Sequence, residues 1–338
     1  MSTTTETTSA ATGTLTLGAA LNAGLRQAMA ADESVVLLGE DIGTLGGVFR
    51  VTEGLRAEFG ADRVIDSLLA ESGIVGTAIG LALRGYRPVC EIQFDGFIYP
   101  AFDQIVSQLA KLRARSGGRL TVPVTIRVPC GGGIGAVEHH SESNEAYFCH
   151  TAGLRVVACA NPADAHWMIQ QAISCDDPVI FYEPKRRYWD KAPVAIGPVP
   201  SGAPALDQAR VAKPGTDVTL VAYGPAVRVA LDAATVAESE GRSLEVIDLR
   251  SLSPLDLDTL TASARRTGRV VVVHEAPTFA GLGAEIAAAI TERCFPFLEA
   301  PVQRVGGWNI PYPPARAEAG YLPDLDRVLD AVEVTHQY

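Results

Sequence analysis

The sequence predicts an α/β protein with a first domain on a largely parallel sheet, a linker, and a second, smaller α/β domain. Short runs rich in β-branched residues alternate with helical patterns through the first half of the chain. Buried strands that alternate with helices are typical of parallel sheets. A segment with five prolines and three glycines, residues 191–216, interrupts this alternation and is predicted to be a linker. The alternation then resumes, which indicates a second domain.

The first domain is predicted to span residues 14–190. Its expected strands share short apolar, β-branched runs and lie at 34–40, 87–94, 122–129, 154–160 and 178–183. Residues 16–30 are predicted to be a helix that Thr16 caps, because one face carries Leu17, Leu21, Leu25 and Met29. A second helix is predicted over about 163–174, where apolar residues at helical spacing follow Pro162.

The second domain is predicted to span residues 217–338. Its expected elements are strands at 217–224, 244–250 and 269–276 and helices near 225–240 and 282–293. Residues 1–13 are predicted to form a disordered tail, since their composition is polar and they lack the basic and apolar regions of a signal peptide. No internal repeat is evident beyond the shared alternation.

Composition excludes several classes of protein. The hydrophobic content of 47% is ample for two cores, and the net charge of −11 argues against a nucleic-acid-binding surface. The apolar runs are too short to predict a membrane span. The six cysteines form no CxxC pair, so zinc spacing is absent and a disulfide framework is not expected. The expected location is the cytoplasm.

Two segments carry candidate site residues. In LLAESGIVGTAIGLALRG (68–85), Glu71 is either a first-turn acid favoured by the helix dipole or a carboxyl group with a functional role. The helix also carries Gly73, Gly76 and Gly80, which each cost about 1 kcal/mol against alanine and suit close approach of another helix or a ligand. The second segment, EIQFDGFIYPAFDQIVSQLAK (91–111), begins at a strand end.

Strand ends are where open α/β sheets bind ligands, so Gln93, Phe94 and Phe97 of that second segment are candidates for a crevice. The alternative for each is a place in the core or in a solvated loop.

Half of the six histidines lie in VEHHSESNEAYFCHTAGLRVV (137–157). A metal site needs convergent ligands, and adjacent histidines converge poorly, so His139 and His140 indicate a catalytic loop more than a zinc site. If the segment is extended, His139 points away from the side on which His140 lies. His150 is predicted to be a packed histidine.

Several segments together resemble the β subunit of the thiamine-diphosphate-dependent decarboxylase of 2-oxoacid dehydrogenase complexes. The matching segments lie between residues 14 and 335 and are GEDIG…GGVFR (39–50), Glu71-x4-Gly76-x3-Gly80, EIQFDGFIYPAFDQ (91–104), GGGIGAVEHHSES (131–143), DPVIFYEPKRRY (177–188), LEVIDLRSLSPLD (244–256) and VVVHEAPTFAGLGAEIAA (271–288). The resemblance implies a pyrimidine-type thiamine-diphosphate-binding domain followed by a transketolase C-terminal-like domain. HHSES and EPKRRY favour the branched-chain group over the pyruvate and acetoin groups.

The same resemblance implies residue roles. Glu71 would hydrogen-bond N1′ of the cofactor pyrimidine, with Phe97 stacked on the ring and Gln93 and the Leu69 backbone beside it. Relatives often carry a tyrosine at the position of Phe97. His140 would face the thiazolium, contact the 2-oxo acid carboxylate and donate a proton during acyl transfer to lipoamide.

The resemblance also implies cofactors and partners. The chain has no Gly-Asp-Gly motif for the diphosphate-bound magnesium ion, which in the family belongs to an α subunit. The expected assembly contains two α and two β chains and docks on a lipoyl-bearing acyltransferase core; neither nucleic acid nor a membrane is an expected partner. A structural potassium ion would be bound mainly by carbonyls of Val124, Ala172, Ile173, Cys175 and Asp177, where Cys175 replaces the usual aspartate. A single-chain transketolase-type enzyme and a non-catalytic assembly subunit are the alternatives.

Overall fold

The computed structural model describes residues 11–338, which form two α/β domains with separate sheets. The first domain is built on a seven-stranded sheet. From one edge to the other its strands are β12 (Ser251–Ser253), β6 (Arg155–Ala158), β7 (Val179–Pro184), β5 (Thr125–Cys130), β4 (Arg87–Glu91), β2 (Val35–Gly39) and β3 (Val64–Asp66). All neighbours pair in parallel except β12, which runs antiparallel to β6. The predicted parallel sheet is therefore confirmed.

The second domain is built on a five-stranded sheet. Its strands, from edge to edge, are β14 (Gln303–Gly307), β13 (Val270–Pro277), β10 (Val218–Ala222), β11 (Leu244–Asp248) and β9 (Arg210–Lys213). Only β9 is antiparallel to its neighbour. Two further strands, β1 (Ala11–Thr16) and β8 (Lys191–Ile196), form a separate antiparallel pair.

The segment predicted as a linker, residues 191–216, contains both β8 and β9, so each of its ends is tied to a sheet. The predicted tail overlaps β1, because residues 11–13 form the first half of that strand. Residues 1–10 of the predicted tail lie outside the described part of the chain. The chain also returns to the first sheet after β11, since β12 pairs with β6. Both domains thus contain strands that sequence periodicity did not predict.

Helices cover the faces of the two large sheets. They are α1 (Leu17–Ala31), α2 (Leu55–Phe59), α3 (Glu71–Leu83), α4 (Ala110–Arg115), α5 (Glu145–Cys149), α6 (Pro162–Ser174), α7 (Ala226–Ser239), α8 (Leu257–Thr267), α9 (Leu282–Cys294), α10 (Glu318–Tyr321) and α11 (Leu325–Thr335). Within residues 11–338 no helix combines the length and apolar character that a membrane crossing requires.

Helix α1 shows how local sequence sets an element. The Thr16 hydroxyl accepts a hydrogen bond from the Ala19 amide at 3.1 Å, as an N-cap should. The predicted apolar face is buried against α6. Gly24 allows the two helices to approach, because a Cβ there would lie 2.8 Å from the His166 carbonyl oxygen. The helix predicted over 16–30 is confirmed to within one residue at each end.

One hydrophobic cluster extends through both domains. It includes Ile126 and Val128 of the first sheet and Val221 and Ile247 of the second. The carboxyl ends of the second sheet's strands therefore face the first domain across a continuous apolar contact. This contact decides which sheet edge stays accessible to a ligand.

Candidate active site

The candidate site lies at the carboxyl edge of the first sheet. Strands β3, β2, β4 and β5 are neighbours there, and predicted site residues lie in the segments that follow β3, β4 and β5. Loops at this edge of a parallel sheet converge, which is why open α/β sheets bind ligands there. Helix α3 packs against the 3₁₀ turn Asp95–Ala101, and that turn packs against the 3₁₀ turn Glu138–His140. The fold thus brings the three predicted segments together.

Glu71 is the first residue of α3 and is only 8% exposed. It lies close enough to Glu40, which follows β2, for the two charges to interact. Burial, followed by the charges of Glu71 and Asp41, raises the pKa of the Glu40 carboxyl group. Glu40 is a site residue that sequence reasoning missed, although an acid directly after a strand in the GEDIG motif was a usable signal.

The exposed face of α3 is made of small residues. Within the chain, a Cβ at Gly76 would only reach Gln104, at 3.7 Å, and one at Gly80 would meet nothing within 4 Å. Beside this face Leu68 and Leu69 are 87% and 81% exposed. Within residues 11–338, no backbone makes the close approach to these glycines that they were predicted to permit.

Aromatic rings surround His140. The ring centroid of Phe94 lies 4.1 Å from that of His140, and the centroid of Phe97 lies at 5.1 Å. Phe49 extends the cluster through Phe94, at 5.5 Å. Gly96 permits the contact between the two turns, because a Cβ there would lie 2.5 Å from the His139 carbonyl oxygen. The predicted pair of Phe97 and His140 is brought into one cluster.

The other histidines differ from the expected arrangement: the condition stated for His139 is not met, and the prediction for His150 is wrong. The segment is a 3₁₀ turn, not extended, so the rings of His139 and His140 are adjacent, with centroids 4.4 Å apart. His139 also stacks on Phe97 at 5.9 Å. His150, predicted to be packed, is exposed. A 3₁₀ turn places successive side chains about 120° apart, whereas a strand places them on opposite faces.

The polar atoms of His140 and Ser141 lack partners. His140 Nδ1 and Ser141 Oγ are buried and make no hydrogen bond to any described residue. Burial, followed by the charges of His139 and Lys185, lowers the pKa of His140. The imidazole is therefore neutral at neutral pH and can both donate and accept a proton. Buried polar atoms almost always have partners, so these two atoms indicate a ligand position.

Buried ion pairs connect β4, β5 and β7 or the residues that follow them at this edge. Lys185 Nζ lies 3.1 Å from Asp95 Oδ2, and Asp95 also accepts a hydrogen bond from the Gly131 amide at 3.2 Å. Burial raises the pKa of Asp95 to about 7, against the lowering effect of Lys185. Arg127 pairs with Glu91 at 2.6 Å and with Glu183 at 2.7 Å. Sequence reasoning missed these pairs, although charges within otherwise apolar strands were a signal.

These features fit the pyrimidine half of a thiamine diphosphate site. A buried carboxyl group begins α3, which packs against the turn that carries Phe97. The Phe97 ring lies beside His140, and His140 Nδ1 and Ser141 Oγ are buried without partners among the described residues. Glu71 would hold the pyrimidine, with Phe97, Gln93 and the Leu69 backbone beside it. Within residues 11–338, no group of three or more His, Cys, Asp and Glu side chains is arranged to hold a metal ion.

Four of the five carbonyls predicted to bind potassium accept hydrogen bonds within the protein. The Arg87 guanidinium donates to the carbonyls of Ile173, at 3.0 Å, and Cys175, at 3.1 Å. The Val124 carbonyl accepts the Val179 amide, and the Ala172 carbonyl accepts the Cys175 amide.

The remaining residue of the set, Asp177, pairs with Arg113 and Arg155. Arginine side chains thus contact the oxygens of Ile173, Cys175 and Asp177, and the potassium site stays a prediction.

Comparisons with known proteins agree with this geometry. The transketolase pyrimidine-binding domain family matches residues 13–190, and the transketolase C-terminal domain family matches residues 207–328. A Leifsonia xyli protein named pyruvate dehydrogenase E1 component subunit beta is 59% identical, over 94% of each chain. A Mycobacterium tuberculosis protein named 3-methyl-2-oxobutanoate dehydrogenase subunit beta is 56% identical, over 95% of this chain and 92% of its own.

A solved structure has the same fold along nearly the whole chain. It is described as a split gene transketolase in an inactive beta4 tetramer, with a TM-score of 0.76 and 25% identity over 95% of this chain and 98% of its own.

Proposed function

The chain belongs to the family of 2-oxoacid dehydrogenase E1 component β subunits, and we propose that it is one half of a thiamine-diphosphate-dependent decarboxylase. With an α subunit, in an assembly of two α and two β chains, it would decarboxylate a 2-oxo acid and pass the acyl group to lipoamide on an acyltransferase core. The α subunit would hold the magnesium ion and the diphosphate. The observation that carries this proposal is that the buried Glu71 begins a helix packed on the turn Asp95–Ala101, and that this turn packs on the one that holds the unpaired His140 Nδ1.

Thiamine diphosphate, when bound, supplies a nucleophilic thiazolium carbon for the 2-oxo acid carbonyl group. Glu71 holds a proton at the pyrimidine N1′, a task that suits a carboxyl group at a buried helix start. Phe97 would pack against the pyrimidine, with Gln93 and the Leu69 backbone beside it. The exposed Leu68 and Leu69 and the glycine face of α3 are available for the α subunit.

His140 would bind the carboxylate of the 2-oxo acid and later donate a proton during acyl transfer to lipoamide. Its neutral imidazole donates one hydrogen bond to the substrate carboxylate, and its other nitrogen can accept a proton. The rings of Phe94 and Phe97 restrict the imidazole and exclude water from it. Ser141 Oγ, buried beside it, is a second polar atom available to the substrate.

The preferred substrate is proposed to be a branched-chain 2-oxo acid, on the strength of HHSES (139–143) and EPKRRY (183–188). The relatives do not separate the possibilities, since proteins named for pyruvate and for 3-methyl-2-oxobutanoate are 59% and 56% identical. Pyruvate is therefore the alternative substrate. The cytoplasm is the proposed location.

Reconstitution tests the proposal. The purified chain, given thiamine diphosphate and magnesium, is expected to show no turnover, because it holds only the pyrimidine half of the site. Addition of an α subunit should produce thiamine diphosphate binding and turnover, and 3-methyl-2-oxobutanoate should be the better substrate by kcat/KM.

Turnover by the chain alone would contradict the half-site arrangement. If this chain and an α subunit together bind the cofactor but turn over no 2-oxo acid, the non-catalytic assembly role is favoured. A preference for pyruvate would change only the proposed substrate.

A further inference from the structure

The loop before His140 has an unusual backbone. It runs through the sequence GGGIG, residues 131–135, directly after β5. Gly131, Gly133 and Gly135 have φ angles of +81°, +86° and +69°. Such conformations favour glycine and turn successive amide groups outward, as in the backbone cradles that bind anions.

Carboxylates of the second domain occupy this cradle. The Gly132 amide donates to Glu275 Oε2 at 3.1 Å. The Gly133 amide donates to Glu318 Oε1 at 2.8 Å, and the Gly135 amide donates to Glu318 Oε2 at 3.2 Å. Glu275 lies in β13, and Glu318 begins α10, so the partners lie 143 and 185 residues apart along the chain.

Both carboxylates are themselves held in place. Glu275 is buried and forms an ion pair with Arg186, which follows β7. Glu318 Oε1 also accepts a hydrogen bond from the Tyr312 hydroxyl at 2.6 Å. Hydrogen bonds to a charged acceptor are worth about twice as much as those between neutral groups. The second domain therefore presents fixed acceptors to the loop.

Glycine is required where the loop meets these groups. A Cβ at Gly131 would lie 2.5 Å from Glu275 Oε2, and one at Gly132 would overlap the Tyr312 hydroxyl. The loop closes on itself at its base, where the Gly131 amide donates to the Glu142 carbonyl at 2.9 Å. His140 lies inside the closed segment 131–142, five residues after the last amide that Glu318 binds.

We propose that Glu275 and Glu318 are positioning residues for His140, so that the second domain sets the geometry of the catalytic loop. The inference rests on the function proposed above. Asp95 and the Glu142 carbonyl bind the loop only at Gly131, and the second domain fixes the following amides. Loss of these bonds would let the 3₁₀ turn and the imidazole move relative to Phe94 and Phe97, while Glu71 and the pyrimidine side of the site stay in place.

The first experiment separates positioning from general stability in the assembled α–β enzyme. Glu318→Ala is expected to lower kcat/KM for the 2-oxo acid by roughly tenfold or more, the factor that one lost hydrogen bond of ordinary strength provides. Exchange of the cofactor C2 proton, which depends on Glu71, should stay near wild type. Glu318→Gln keeps one oxygen acceptor and should recover part of the loss. The control is Arg210→Gln, which breaks an interdomain ion pair with Asp164 away from the loop and should leave kcat/KM unchanged.

The second experiment tests whether Glu318 acts through His140. In a His140→Ala background, Glu318→Ala should cause no further loss, because the group that it positions is absent. A loss equal to that in the wild-type background would overturn the proposal, as would unchanged kcat/KM in folded Glu318→Ala and Glu275→Gln enzymes.

Amide hydrogen exchange measures how firmly the loop is held and does not require turnover. Amides of residues 131–142 should exchange roughly tenfold faster in Glu318→Ala and Glu275→Gln than in Arg210→Gln. If the wild-type pair turns over no 2-oxo acid, the proposed function fails and this measurement still decides whether the second domain holds the loop. Wild-type exchange rates in the Glu318 and Glu275 variants would refute the holding role itself.

Discussion

The carboxyl edges of the two sheets differ although both belong to parallel α/β arrangements. At the first edge His140 Nδ1 and Ser141 Oγ lack partners, and Leu68 and Leu69 are exposed. At the second edge the strand ends carry Tyr223, Asp248 and Glu275, and all three are buried. One edge is open to a ligand, and the other is closed by protein.

Each of the three side chains at the closed edge makes a contact within the protein, but Asp248 Oδ2 and Glu275 Oε1 have no hydrogen-bond partner within residues 11–338, like the two atoms named above at the first edge. Tyr223 donates to Glu145 at 2.5 Å, Asp248 lies beside Arg210 at 3.6 Å, and Glu275 accepts the Gly132 amide. The usual position for a ligand in an α/β sheet is therefore taken in the second domain by the first domain. The comparison teaches that a strand end with polar side chains indicates a contact, and that only the tertiary arrangement decides whether the contact is a ligand or another domain.

The largest expected effect tests the open edge. Glu71→Gln should slow exchange of the bound cofactor's C2 proton by a factor of roughly 100 or more, as expected when a positioned proton-transfer group is removed. Assembly with the α subunit and the melting temperature should stay near wild type.

The matched control for Glu71 is Glu285, an exposed acid in the first turn of α9, after the closed edge. Glu285→Gln should cost a few tenths to about 1 kcal/mol of stability and leave exchange unchanged. If Glu71→Gln behaves like Glu285→Gln, Glu71 is only a helix-start acid and the active-site assignment fails.

An intermediate effect is expected at the closed edge. Tyr223→Phe removes the hydrogen bond to the buried Glu145, whose pKa burial already raises. An unsatisfied buried group costs about 1–3 kcal/mol, so the melting temperature of the assembled enzyme should fall by a few degrees. C2-proton exchange in the folded fraction should be normal. If C2-proton exchange slows while the melting temperature is unchanged, this edge takes part in the chemistry. The contrast between the two edges would then be wrong.

The smallest effect concerns the pH dependence of His140. Burial, then His139 and Lys185, lowers its pKa below 6.5, while Glu138 opposes them. The folded protein thus binds fewer protons than the unfolded protein between the lowered pKa and 6.5, so this group's stability contribution is present above 6.5 and is lost as pH falls through the lowered value.

His139→Gln removes one of the charges that lower the pKa of His140, so that pKa should rise. An NMR titration of the imidazole protons measures it. An unchanged or lower pKa would mean that the adjacent ring does not act on His140. Glu138→Gln, which removes an opposing charge, should shift the pKa the other way and serves as the matched control.

Sequence alone predicted most of the strands in the two large sheets and proposed where the site lies. Alternating strand and helix patterns predicted the strands of the two large sheets apart from β3, β9, β12 and β14, because burial periodicity depends on residues that are neighbours along the chain. Thr16 predicted the start of α1 for the same local reason. Motif resemblance selected Glu71, Phe97 and His140, and the fold brings Phe97 and His140 into one cluster at the sheet edge where Glu71 lies.

Only the tertiary structure decided the long-range contacts. Arg87 at the carbonyls of Ile173 and Cys175 could not be predicted, because backbone acceptors leave no trace in residue type. The bonds from Glu275 and Glu318 to the glycine loop join segments 143 and 185 residues apart, and no local pattern links them. The same holds for the sheet edges: the second one is closed because an apolar core joins the two domains, which is a property of packing and not of any single segment.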